Sequence, residues 1–178
     1  MVSAARLFVG GNRDNKNRKG DQRMAPITRT RSIVYSAVLA ATSVVLTVAL
    51  APLSYGPVQF RVSELLKPAA LLHPAFAIAF GIGNGLANTL SPFGWYDFVL
   101  MSFVDCGAAL LCWWLRRWPW VAVVAQAIVI SAGVAIFPLG MGAQLPFVPT
   151  FATVLVSELI LLCVGYAVIW RNWQWPRP

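Results

Sequence analysis

Gln59, Phe60, Arg61, Val62, Ser63 and Glu64 set an amide, a guanidinium and a carboxylate between two strongly apolar segments. Groups of these types can bind a polar solute through charge and hydrogen bonds, or move protons as acid and base. A charged side chain at the centre of a bilayer costs about 2.5–3.5 kcal/mol on insertion scales, so it is rarely kept there without a partner or a water-filled cavity. Glu64 follows Arg61 by three residues, which on a helix puts both on one face within pairing distance. Asn84, Asn88, Asp97, Asp105 and Glu158 are further polar residues in apolar surroundings.

The elements that must position these residues are apolar runs. Ser32 to Ala51 is long enough, at about 1.5 Å per residue, to cross a hydrocarbon core of about 30 Å. A cleaved secretory signal is the rival reading, because basic residues precede the run and Ala49-Leu50-Ala51 resembles a cleavage site. The run exceeds the usual signal core, and Pro52 would directly follow the cut. Pro52, Gly56 and Pro57 then break the pattern before Val62–Leu72 resumes it. Pro74–Leu90, Asp97–Leu115, Trp118–Phe137 and Phe147–Trp170 follow. The expected fold is an all-α membrane protein, a compact bundle of six transmembrane helices over residues 32–170. The second is the short one, reaching only about 17 Å as an α-helix.

Composition supports this class: 58% of the 178 residues are hydrophobic and 11% charged, with a mean hydropathy of +0.68. Eight of the 14 Lys and Arg residues precede Ser32, so the net charge of +8 belongs mostly to residues 1–31. A polar, basic stretch without aromatic interleaving reads as a disordered cytoplasmic tail at a membrane surface, not a nucleic-acid reader. Met24 is an alternative start. With six crossings and this tail inside, Arg116-Arg117 and the short tail over 171–178 also fall inside, so both termini are expected to be cytoplasmic in the plasma membrane. Trp113, Trp114, Trp118, Trp120, Trp170, Trp173 and Trp175 would form an inner aromatic belt. Cys106, Cys112 and Cys163 lack metal or disulfide spacing, His73 precedes Pro74 at a segment boundary, and no cofactor or metal is expected. No Gly-rich phosphate loop is present, so ATP hydrolysis would fall to partners.

Six alternating segments bring the polar residues to one side. Gln59, Arg61 and Glu64 follow the first outer loop, Asn84 and Asn88 lie toward the outer end of the third segment, and Asp97 opens the fourth from outside. Asp105 is two turns in, and Glu158 is near the middle of the last segment. This pattern suggests an outward-opening cavity for a polar solute, with Tyr55, Phe60, Phe93, Trp95 or Tyr96 available to stack on a planar ring. The plainer readings are an Arg61–Glu64 structural pair, an Asp97 helix cap, and Asp105 or Glu158 as packing hydrogen-bond partners. Ala37 and Ala41 on the first helix, and Ala77, Gly81 and Gly85 on the third, are faces where backbones can approach closely, inside the bundle or against a partner.

The stretch from Ala51 through Gly56-Pro57, Gln59, Arg61 and Glu64, with Gly83-Asn84-Gly85-Leu86-Ala87-Asn88, Ser91-Pro92 and Asp97 after it, resembles the QueT family of membrane proteins. These are regarded as substrate-binding S components of energy-coupling factor (ECF) transporters, assigned to uptake of queuosine precursors. The resemblance is specific from about Ser32 to Leu115 and looser to Trp170. It implies a six-helix S component that captures a 7-deazaguanine base, with Gln59, Arg61, Glu64, Asn84, Asn88 and Asp97 as the substrate-binding set. The implied partners are a transmembrane coupling subunit and two ABC-type ATPases, docked through Ala37 and Ala41. Lys67 departs from the family pattern. Other readings are an S component for a vitamin, an intramembrane enzyme using Glu64 with Asp97 or Asp105, and a non-transporting scaffold. The enzyme reading lacks an accompanying nucleophile–base pair or metal-spaced histidines.

Overall fold

The computed structural model of the chain describes residues 29–56 and 59–172, the last three by backbone only. Most of the basic tail, Pro57, Trp173, Trp175 and Arg177 lie outside these residues. The elements are α1 (Arg29–Ala49), α2 (Ala51–Ser54), α3 (Val62–Leu71), α4 (Ala75–Asn88), α5 (Met101–Trp114), α6 (Pro119–Ile136) and α7 (Phe147–Asn172). A π-helical turn, Tyr96–Leu100, leads into α5, and a second, Phe137–Gly142, extends α6. Among the described residues there are no strands.

Four stretches are long and apolar enough to cross a membrane: Arg29–Ala49, Tyr96–Trp114, Pro119–Gly142 and Phe147–Ile169. The inside-out character of α1 is the clearest sign of its solvent. It buries Ser32, Ser43 and Thr47 while Ile33, Val34, Val38 and Val45 face outward. In water that arrangement would be costly. In lipid the apolar side chains lose nothing by pointing out, and the hydroxyls find partners inside. Trp114, Trp118 and Trp120 are exposed around the Arg116-Arg117 turn, as an interfacial belt requires.

The short second segment of the expected bundle, α3, is wound as a 3-10 helix of 10 residues. Such runs usually stop at three or four residues. Its rise of about 2.0 Å per residue gives a length of about 20 Å, more than an α-helix of the same residues could span. Pro68 lies inside it and supplies no N–H for the carbonyl of Leu65, three residues back. Gly165 of α7 packs directly onto that carbonyl, so close that a Cβ could not fit. Seven of the ten α3 residues, Lys67 included, are buried.

Contacts along the chain fix the segment directions. Ser32 Oγ and His73 Nδ1 are 3.2 Å apart at one end of the bundle. Thr47 Oγ1 and Ser63 Oγ are 2.8 Å apart near the other. At that second end the Tyr55 hydroxyl donates to the Ala87 carbonyl at 2.6 Å. Segment α3 therefore runs opposite to α1, and α4 returns parallel to α1. Close packing uses small residues: a Cβ on Gly83 would meet the Ala40 backbone at 3.0 Å, and one on Gly81 would meet Cys106 and Ser102 at 3.0 Å. The Ala77, Gly81 and Gly85 face is thus internal packing against α5, whereas Ala37 and Ala41 remain exposed on α1.

Candidate functional site

Gln59 and Arg61 enter the site from a non-helical backbone. Gln59 has φ of 48°, in the left-handed region that a non-glycine residue rarely occupies, and its N–H closes a turn onto the Gly56 carbonyl at 2.9 Å. Arg61 is extended, at φ −92° and ψ 103°, and precedes the first turn of α3. This explains why the three-residue spacing of Arg61 and Glu64 does not produce their pairing: the two are not on one continuous helix face.

Arg61 instead reaches across the bundle. Its Nη2 donates to both carboxylate oxygens of Asp97 at 3.1 Å, and its Nη1 donates to Asn84 Oδ1 at 2.7 Å. Its Nε reaches the Ser54 carbonyl at 3.4 Å, and the guanidinium lies 5.6 Å from the centre of the Tyr55 ring. Asp97 is held further by Asn88 Nδ2 at 3.0 Å and by the Ser91 hydroxyl at 2.6 Å. The π turn at Tyr96–Leu100 explains its inward aim, because one extra residue in a turn rotates the preceding side chains by about 100° relative to the rest of the helix. Asp97 is fully buried, and its carboxylate is fixed by three side chains rather than capping an exposed helix end.

A second group lies one turn deeper along α3. With three residues per turn, side chains at i and i+3 eclipse in a 3-10 helix, so Glu64 and Lys67 stack in one row. Lys67 Nζ is 2.7 Å from Glu64 Oε2, a close ion pair whose angle falls outside hydrogen-bond geometry, and it donates to Asp105 Oδ1 at 2.5 Å. The sequence marks Lys67 only as a departure from a family pattern, yet it is the cation that organises the deeper layer. Its position three residues after Glu64 was the available signal.

Of the six expected binding residues, Arg61, Asn84, Asn88 and Asp97 therefore form one hydrogen-bonded network, Glu64 belongs to the Lys67 group, and Gln59 stands apart. Both amide atoms of Gln59 are buried and lack a hydrogen-bond partner among the described residues, as do Asn84 Nδ2, Asn88 Oδ1, Asp105 Oδ2 and Glu158 Oε2. Both amide atoms of Gln126 on α6 are also buried without partners among the described residues, and because buried polar atoms are nearly always paired, each such exception calls for an explanation. An apolar groove of about 360 Å³ between α4 and α5, lined by Ile78, Ile82, Leu86, Phe98 and Phe103 among others, is a separate feature. None of the buried polar residues lines it, and its hydrocarbon walls suit an acyl chain rather than a polar solute.

Apolar helices around an interior of ion pairs and unpartnered amides and carboxylates define a multi-pass membrane protein of the solute-handling kind. The family model described as QueT transporter matches residues 33–171, and the chain belongs to that family. It is similar to the queuosine precursor transporter QueT of Lactococcus lactis subsp. cremoris (strain MG1363), with 31% identity over 152 residues, covering 78% of this chain and 89% of the relative. No solved structure gives a significant match.

Proposed function

We propose that residues 32–170 form the substrate-capturing S component of an ATP-driven ECF-type importer, and that its ligand is a queuosine precursor, a 7-deazaguanine base. The observation that carries this reading is Gln59: a buried amide on a left-handed backbone, with neither polar atom satisfied among the described residues. Strained backbone and orphaned amides persist where function requires them. An amide both donates and accepts, and so do the free atoms of Asn84 and Asn88 taken together. That pattern complements the alternating carbonyl and N–H edge of a guanine-like ring. The similarity to a relative named as a queuosine precursor transporter supports the same ligand class.

All six segments cross the membrane in this proposal, with α3 stretched by its 3-10 winding, both termini cytoplasmic in the plasma membrane, and the Gln59 end outside. A transmembrane coupling subunit and two ABC-type ATPases supply the driving force, and the exposed Ala37 and Ala41 on α1 form the docking face for the coupling subunit.

Thermal unfolding of the detergent-purified chain against 7-deazaguanine bases, guanine and common vitamins tests the reading. A receptor gains about 2.7 kcal/mol at 100-fold excess of ligand over its dissociation constant. Stabilisation by a 7-deazaguanine, lost in Gln59→Leu, is the expected result. Stabilisation by a vitamin alone would keep the receptor and overturn the ligand, and no stabilisation by any compound would favour a scaffold.

A further inference from the structure

The bundle keeps its acids inside and leaves bases outside. Of the six Asp and Glu residues in the chain, Glu64, Asp97, Asp105 and Glu158 are buried in the interior. Asp14 and Asp21 fall in residues 1–28, where Arg6, Arg13, Lys16, Arg18, Lys19 and Arg23 outnumber them. Arg116 and Arg117, exposed at the turn between α5 and α6, therefore have no carboxylate to pair with among the described residues. Two adjacent exposed guanidinium groups without a counter-ion of their own fit an anion supplied from outside the chain.

The turn holds them firmly. The Arg116 N–H donates to the Trp113 carbonyl at 3.2 Å and the Trp118 N–H to the Leu115 carbonyl at 2.8 Å, which fixes the chain reversal. The Arg116 guanidinium lies 4.4 Å from the centre of the Trp113 ring, and its Nη1 also donates to the Trp113 carbonyl, at 3.3 Å. A guanidinium held by a ring still has further N–H groups in its planar fork, a geometry that matches phosphate oxygens. Trp114, Trp118 and Trp120 flank the pair and are 71%, 65% and 58% exposed. Trp120 is braced edge-on against Tyr166 of α7, with ring centres 4.6 Å apart. Exposed indole rings on a membrane protein sit at headgroup depth. Helix α4 runs from the Ser32–His73 end to the Tyr55–Ala87 end and α5 returns, so the turn lies at the Ser32–His73 end, away from Asp97.

We infer that the α5–α6 turn is a binding site for the headgroup phosphate of an anionic phospholipid, with Arg116 and Arg117 on the phosphate and Trp114, Trp118 and Trp120 against the glycerol and the upper acyl chain. A soluble anion would use the arginines and leave the indole rings without a role. A zwitterionic headgroup brings its own cation to the phosphate and gains less from the pair. A protein surface meeting the rings at headgroup depth must itself be embedded in the membrane, where carboxylates are rare, so lipid is the better occupant. This surface is separate from the buried polar layers and does not depend on the ligand they hold.

The test follows thermal unfolding of the full chain in a non-ionic detergent while phosphatidylglycerol or phosphatidylcholine with the same acyl chains is titrated in. An arginine near an anionic surface is worth about fivefold in affinity, so phosphatidylglycerol should half-saturate the stabilisation at a concentration at least about fivefold below that of phosphatidylcholine. In Arg116→Gln combined with Arg117→Gln the two concentrations should converge, whereas Arg29→Gln with Arg31→Gln, at the same end of the bundle, should keep the parent's preference. Arg117→Gln alone gives the same reading if the double variant does not fold. Equal saturation by both lipids in the parent overturns the proposal, as does a preference unchanged in the double variant. Stabilisation by glycerol 1-phosphate equal to that by phosphatidylglycerol would make the turn a soluble-anion site and overturn the lipid assignment. Loss of a co-purifying protein in the double variant, with no lipid preference in the parent, would give the surface to a protein partner instead.

Discussion

Two layers of buried polar residues, one turn apart along α3, are built on opposite terms. The upper one, Arg61 with Asp97, Asn84, Asn88 and Ser91, is charge-balanced and tied by five side-chain hydrogen bonds between 2.6 and 3.1 Å, with Asn84 Nδ2 and Asn88 Oδ1 left unpartnered among the described residues. The lower one, Lys67 with Glu64, Asp105 and Glu158, is acidic and leaves carboxylate oxygens without partners. The ion pair and its hydrogen bonds hold helices in place, and the atoms left without partners are the ones available to a ligand. Under the proposed function the difference separates the Arg61–Asp97 pair, which shapes the bundle, from the unpartnered atoms proposed to meet the ligand, a division that polarity and spacing alone do not reveal.

The sharpest way to break the comparison is to remove one charge from each layer. Arg61→Met leaves Asp97 fully buried without its cation, and stripping one partner from a buried pair typically costs about 3–5 kcal/mol. Expression and thermal stability should collapse. The double variant Arg61→Met with Asp97→Leu should recover much of the loss, because nothing charged is then stranded. Arg61 is thus a poor choice for a binding-only variant, although the sequence makes it look like one. Glu158→Gln, by contrast, replaces a buried carboxyl whose Oε2 has no hydrogen-bond partner among the described residues, and the melting temperature without ligand should stay the same or rise. Comparable losses in Arg61→Met and Glu158→Gln would mean that both layers are structural.

A smaller effect should come from Gly165→Ala, which drives a methyl into the Leu65 carbonyl at the point where α7 supports α3. Overpacking of this kind costs about 1–3 kcal/mol. Here it should also slide Glu158 relative to the α3 row, so ligand affinity should fall together with stability. If affinity were unchanged while stability dropped, the register of α7 against α3 would not matter to the lower layer.

Much of the architecture is readable in the chain and its geometry of pairing is not. Hydrophobic runs place the main segments closely: Ser32–Ala51 is expected where Arg29–Ala49 is found, and Phe147–Trp170 where Phe147–Asn172 is found. Membrane length and apolarity are local properties, so they show in sequence. The short second segment is legible as apolar but not as a 3-10 helix, since that winding depends on Gly165 receiving the carbonyl left free by Pro68, a contact about 100 residues away in the chain. The same holds for Arg61. Its i,i+3 neighbour is Glu64, but an extended backbone sends the guanidinium to Asp97, 36 residues on. Asp105 and Glu158 could be flagged as polar intruders, while their sharing of Lys67 needed three helices in place.

A further substitution sharpens the division within the proposed ligand region. Gln59→Leu keeps side-chain volume close to that of the amide and removes two buried atoms without partners among the described residues. Orphaned polar groups of this kind carry a desolvation cost of about 1–3 kcal/mol. The apo protein should therefore melt at the same temperature or higher, while stabilisation by a 7-deazaguanine disappears. Gain in stability with loss of binding is the signature of a group kept for function; loss of both would assign Gln59 to the architectural layer.

The smallest effect on the isolated chain is expected outside both layers. The small residues divide in the same way as the polar ones: Gly81 and Gly83 are enclosed by α5 and α1, while Ala37 and Ala41 are exposed on the outward side of α1. An exposed alanine on a lipid-facing helix tolerates a larger apolar side chain, so Ala41→Leu should change stability by no more than about 0.5 kcal/mol and leave ligand binding intact. If that face docks a coupling subunit through close backbone approach, the same methyl groups should prevent the helices from meeting, since membrane helix association depends on packing rather than on a hydrophobic drive. Co-purification with the coupling subunit, and uptake by cells, should then be lost in a protein that otherwise behaves as the parent. Uptake undiminished in Ala37→Leu combined with Ala41→Leu would move the docking surface to another face of the bundle.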